Sequence, residues 1–155
     1  MKRSSKILSV IGAVAFALVL AACGSQPASS SAPAGTTVNE LTKVSGAEVV
    51  FNNSSDSTKV KVSVKDGESV SLMGAIDTGK VDVKFYKDGE WQYDDSFEAG
   101  SSGFSQSGDP GEYEVEFIPE GASGTLYAFS YPTDKVDIQN MDTDQIISTV
   151  SSEIK

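Results

Sequence analysis

The sequence predicts an all-β protein, an antiparallel β-sandwich of jelly-roll-like type with a short C-terminal helix. Two observations carry this. Apolar residues recur at every second position in several short runs: Val60, Val62 and Val64; Val81, Val83 and Phe85; Tyr113, Val115 and Phe117. That period places alternate side chains on opposite faces of a strand, one buried and one wet. Turn-forming pairs punctuate the runs, with Asp66-Gly67, Asp88-Gly89 and Gly108-Asp109-Pro110-Gly111 between them. Short alternating strands separated by such turns are the pattern of a sandwich.

The chain opens differently. Lys2, Arg3 and Lys6 precede an uncharged, largely apolar run from Ile7 to Ala22. As a helix this run is roughly 24 Å long, short of the ~30 Å hydrocarbon core. It therefore reads as a signal-peptide h-region. It ends Leu20-Ala21-Ala22-Cys23, and Cys23 is the single cysteine of the chain. This order, spacing and flank resemble the lipobox of bacterial lipoproteins. The resemblance implies cleavage before Cys23, a diacylglyceryl (palmitate-type) thioether on Cys23 and an extracytoplasmic, membrane-anchored location. The other reading of Cys23 is an unpaired thiol in a secreted protein. Two acyl chains, at about 0.8 kcal/mol per buried CH₂, give stable attachment where one does not.

Cleavage there would remove three positive charges and take the formal net charge from −10 to −13, with no arginine left. A body so acidic excludes nucleic acid as a partner, because phosphate contacts need a basic surface. It also leaves membrane attachment to the acyl chains. The sequence has no histidine. Ser-His-Asp and Cys-His catalysis and histidine metal ligation are therefore excluded, and no cofactor is implied.

Residues 1–22 thus read as the leader and 23–37 as a lipidated N-terminus with a Ser-, Ala- and Pro-rich tether, spanning roughly 20 Å. Residues 38–155 are the folded domain. Ala47–Phe51 is a first strand, Asn52–Ser57 a polar loop, and 59–65 the clearest strand. Asp66-Gly67 turns the chain into a return strand carrying Val70, Leu72 and Ile76. Asp77-Thr78-Gly79 reads as a turn before 81–86, and Lys87–Glu90 as another before Trp91 and Tyr93. Residues 99–109 are Gly- and Ser-rich, with Phe104 the one large apolar residue. A strand follows at 112–117, a loop at Pro119–Gly124, and a last strand from Leu126 to Tyr131, which Pro132 stops. Asp142 with Gln145 forms a capping-box pattern, and Ile146, Ile147, Val150 and Ile154 line one helical face. Ile146, Val150 and Ile154 also fit a strand, but a helix packed on the sandwich is the expectation.

The segments 67–72, 81–89, 111–117 and 124–129 (Gly-Glu-Ser-Val-Ser-Leu, Val-Asp-Val-Lys-Phe-Tyr-Lys-Asp-Gly, Gly-Glu-Tyr-Glu-Val-Glu-Phe, Gly-Thr-Leu-Tyr-Ala-Phe) also resemble, in order, the jelly-roll sandwich of bacterial prepeptidase C-terminal and carbohydrate-binding modules. That resemblance implies a fold more than an activity.

Tyr86, Trp91 and Tyr93 are the candidate ligand site. If Asp88-Gly89 is a two-residue loop, Tyr86 lies opposite Trp91 on the face of Asp82 and Lys84, and Tyr93 shares that face. An exposed aromatic row of this kind can stack on sugar rings. If the turn has three residues and a glycine bulge, Phe85 lies opposite Trp91 and the indole turns inward. Large aromatics are highly buried on average, so the inward tryptophan is the expected outcome.

Asp94, Asp95 and Glu98, and the pair Asp142 and Asp144, are oxygen ligands in type, but no Asp-x-Asp-x-Asp-Gly loop is present and they read as a solvated face, with no metal site. Glu112, Glu114 and Glu116 are the wet side of one strand rather than a matched acid and base. No phosphate-binding glycine loop is present. The function expected is non-enzymatic binding or adhesion at the cell envelope, with polysaccharide or a surface protein as partner. The alternatives are an interaction subunit of an envelope complex and, lower in rank, a carboxylate-based hydrolase.

Overall fold

A computed structural model describes residues 33–137 and 140–155, which belong to one compact unit. The leader and Cys23 lie outside the described residues. Among the described residues the elements run β1 (Gly35–Glu40), β2 (Gly46–Ser54), β3 (Thr58–Val64), β4 (Glu68–Lys87), β5 (Glu90–Glu98), β6 (Ser101–Ser107), β7 (Gly111–Pro132) and α1 (Thr143–Ile154). The expected antiparallel sandwich with a C-terminal helix is what forms.

Two long strands build it. β4 and β7 pair from Glu68 opposite Pro132 at one end to Lys87 opposite Tyr113 at the other. Each half of this ribbon recruits its own neighbours. Residues 68–76 of β4 and 124–132 of β7 sit inside a sheet ordered β6-β4-β7-β2-β1. Residues 80–87 and 113–120 sit inside a second sheet ordered β5-β4-β7-β3. Apolar side chains from both sheets meet in one core, including Val49, Phe51, Leu72 and Leu126 from the first and Val62, Val83, Phe85 and Phe117 from the second.

The ribbon must bend between its halves, and glycine makes this possible. Gly79 of β4 has φ +74°, and a Cβ there would lie 2.4 Å from the carbonyl oxygen of Gly121 in β7. The register between the strands shifts on both sides of Thr78. The turn expected at 77–79 and the loop expected at 119–124 are therefore corrected to bends inside continuous strands. A turn signal fixes local backbone conformation, not whether the ladder resumes beyond it.

Two further strands were not anticipated. β1 begins at Gly35, inside the segment read as tether. Thr36 anchors it by a 2.7 Å hydrogen bond between its hydroxyl and that of Ser54. β6 forms from the Gly- and Ser-rich stretch, pairing with β4 from Val70 opposite Ser107 to Ile76 opposite Ser101.

The first sheet is covered on its outer face as well. Met73, Tyr127, Phe129 and Tyr131 pack there with Ile146, Val150 and Ile154 of α1. Their spacing of four residues places all three on one stripe of the helix. Asp142 caps α1, its carboxylate accepting the Gln145 N–H at 2.8 Å while the Gln145 side-chain oxygen accepts the Asp142 N–H at 3.4 Å. The outer face of the second sheet carries no such cover from the described residues, and Tyr86 and Trp91 lie there.

Candidate functional site

The β4–β5 hairpin decides where the aromatic side chains go. Lys87 pairs with Glu90, leaving Asp88 and Gly89 as a two-residue turn. Both have positive φ, +53° and +84°, the requirement of a primed hairpin turn. Tyr86 therefore lies opposite Trp91. Trp91 is 59% exposed, so the expectation of an inward tryptophan is overturned. Average burial of aromatics lost to the local demand of an Asp-Gly turn.

The next residues depart from the outward register as well. Phe85 pairs with Tyr93, so the ladder skips Gln92. This one-residue bulge reverses the facing of everything after it. Tyr93 turns toward the core, half-buried, with its ring stacked on Phe85 at a centroid distance of 4.3 Å and 15° between planes. Burial pushes its phenol up to about 12. The structure thus brings Tyr86 and Trp91 together and removes Tyr93 from their face. Nothing in the sequence marks the bulge, since Gln92 suits either facing.

The face around the pair is a grid of alternating charge. One row runs Lys59, Glu116, Lys84, Asp94 and the next Lys61, Glu114, Tyr86, Trp91. The Tyr86 hydroxyl donates to Glu116 at 3.2 Å. Lys59 Nζ bonds Glu114 at 2.6 Å and stands 5.7 Å from the Tyr86 ring centroid. That hydrogen bond raises the Lys59 ammonium above its ordinary value. Ser63 donates to Glu112 at 2.5 Å. Tyr86 is thereby fixed in orientation by Glu116 and Lys59, partners found from the sheet register rather than from sequence proximity. Beside it lies a depression of about 280 Å³, bounded by Tyr86, Lys61, Gly89 and Tyr113. The arrangement offers a flat aromatic surface ringed by hydrogen-bonding groups.

The acidic residues do not converge. Asp94 is opposite Lys84, Asp95 accepts the Ser96 N–H at 2.8 Å, and Asp142 caps the helix. Among the described residues no group of three or more His, Cys, Asp or Glu side chains is placed to hold a metal ion. Glu112, Glu114 and Glu116 lie along one face of β7, held by Ser63, Lys59 and Tyr86 respectively.

No protein-family model matches the chain, and no curated protein sequence matches it. Solved structures give distant likenesses. A cycloisomaltooligosaccharide glucanotransferase from Paenibacillus sp., complexed with cycloisomaltoheptaose, is similar over 63% of this chain, at 15% identity and a TM-score of 0.32. The match spans only 16% of that enzyme's own length. The Drosophila melanogaster CENP-C cupin domain is similar over 62% of this chain and 70% of its own, at 10% identity and a TM-score of 0.28. At these TM-scores the likenesses assign neither a family nor a ligand.

Proposed function

We propose that the protein is a membrane-anchored, non-catalytic binding module of the cell envelope that holds polysaccharide against the outer face of its second sheet. The observation that supports this reading most is the Tyr86–Trp91 pair, with its indole 59% exposed on a face otherwise made of charges. The indole beside Tyr86 offers flat apolar area with hydrogen-bonding neighbours, the kind of surface on which a sugar ring stacks. The anchor rests on the Leu20-Ala21-Ala22-Cys23 sequence, with the acyl chains on Cys23. Carboxylate hydrolysis gains no support from side chains that satisfy one another.

A glycan array probed with the full chain tests the reading. Retention of a polysaccharide by wild type, lost in Trp91→Ala, is the expected result. Silence on glycans together with capture of one envelope protein would instead favour an interaction subunit. One observation favours that second reading: β1 is an edge strand whose Val38 is 42% exposed. The anchor is tested separately, since Cys23→Ala should move the protein from the membrane to the soluble fraction.

A further inference from the structure

At one end of the sandwich the β1–β2 loop, the β3–β4 hairpin, the end of β7 and the last turn of α1 surround a cavity of about 380 Å³. This is within the range of small-ligand pockets. Lys43, Lys65 and Lys135 line it, each from a different segment, together with Glu68 and Glu153. We infer that this cavity is a second binding site, for the carboxylate or phosphate group of an acidic saccharide, with Lys43 and Lys65 supplying the charge.

The two carboxylates are already in use. Glu68 accepts the hydroxyl of the buried Ser130 and the backbone N–H of Lys65. Glu153 accepts the Tyr131 hydroxyl at 2.7 Å and Lys135 Nζ at 3.0 Å. The Tyr131 hydrogen bond, then the one from Lys135, holds Glu153 below the usual carboxylate range, so it stays an acceptor. Lys135 is therefore spent on Glu153. Lys43 and Lys65 have no ion-pair partner among the described residues, in a chain with 22 acidic side chains and 12 basic ones. Against Glu68 and Glu153 the three lysines leave the lining one positive charge in surplus, in a chain of formal net charge −10, and an entering anion meets that surplus. Lysine acts as a compact point charge, so such a site reads charge before shape and serves a carboxylate or a phosphate.

Hydroxyls complete the lining. Ser45 Oγ accepts the Ser63 N–H at 2.8 Å, which leaves its own proton to donate. The loop carrying Ser45 is tied down, since its carbonyl accepts the Ser130 N–H at 2.8 Å. The cavity is distinct from the aromatic pair, although Ser63 lines it while its hydroxyl reaches Glu112 on the outer face. A polymer carrying both neutral and acidic units would find a contact on each side of β3.

Calorimetric titration of the full chain with oligogalacturonate, with a phosphorylated oligosaccharide and with methyl-esterified oligogalacturonate tests this. One or both anionic oligomers should bind, and which does so identifies the anion. The ester should not bind. Lys43→Gln with Lys65→Gln should weaken binding at least tenfold, as should raising the salt to 0.5 M, because exposed charges are screened. The same titrations are repeated in a Trp91→Ala background, which removes the aromatic contact: binding lost there belongs to the aromatic site, and binding kept there, with its preference for acid over ester, belongs to the cavity. Equal binding of ester and acid, indifference to the double lysine substitution, or no binding of either anion at millimolar concentration would overturn the inference.

Discussion

Tyr86 and Trp91 face one another across a two-residue turn, while Tyr93, two residues further on, points through to the core and stacks on Phe85. One hairpin therefore carries both the exposed aromatic surface and part of the packing that supports it. The bulge at Gln92 separates the two roles.

That separation sets opposite expectations for neighbouring substitutions. Trp91→Ala removes a side chain that is mostly in water and should change stability by no more than about 0.5 kcal/mol. Phe85→Ala empties a fully buried site and should cost roughly 3–5 kcal/mol. Urea denaturation of the two variants checks this, with equal losses being the contrary outcome.

The bend of the β4–β7 ribbon should be equally intolerant. Gly79→Ala forces a side chain into a left-handed conformation and against the Gly121 carbonyl. A loss of about 2 kcal/mol or more is expected from the backbone strain and the contact together. Gly67→Ala also meets a positive φ, but its added Cβ meets nothing within 4 Å, so it should cost less. Thermal denaturation of both variants ranks them.

Stability should fall at high pH through Tyr93. Its folded value, about 12, lies above that of an exposed phenol, because burial opposes ionisation. A raised value means the contribution is fully present below about pH 10 and disappears as pH rises toward 12. Burial raises Tyr113, Tyr127 and Tyr131 as well, so spectrophotometric titration near 295 nm should show several phenols ionising late, and Tyr93→Phe should remove one phenol's share of that late absorbance.

The acid side has the opposite sign. The Tyr127 hydroxyl donates to Glu48 at 2.6 Å and holds its carboxylate below the ordinary value, against the smaller effect of burial. A lowered value contributes stability above about pH 4.5 that is lost as pH falls through the folded value. Glu48→Gln should flatten the dependence of melting temperature on pH below 5, and an unchanged slope would contradict this linkage.

Much of this architecture is visible in the sequence because alternation and turn chemistry are local. Val60–Val62–Val64 and Tyr113–Val115–Phe117 state their buried faces directly, and Asp142 with Gln145 announces the helix start. What stayed hidden depends on distant partners. β6 forms because β4 offers it an edge, not because Ser101–Ser107 favours strand. β1 is held by Ser54, far along the chain. The same limit applies to the site. The Asp88-Gly89 turn fixed the Tyr86–Trp91 pair, but the Gln92 bulge that removes Tyr93 leaves no mark in residue type. Lys43, Lys65 and Lys135 come together only through the fold.

On the proposed function, the chain's one tryptophan is a solvent-facing contact for saccharide. Iodide quenching of Trp91 fluorescence, with and without the polysaccharide retained on the array, tests it most directly. Free quenching is expected in the unbound protein, and strong protection once the polysaccharide is bound. A blue-shifted emission that iodide leaves untouched, or quenching that saturating polysaccharide does not reduce, would contradict it.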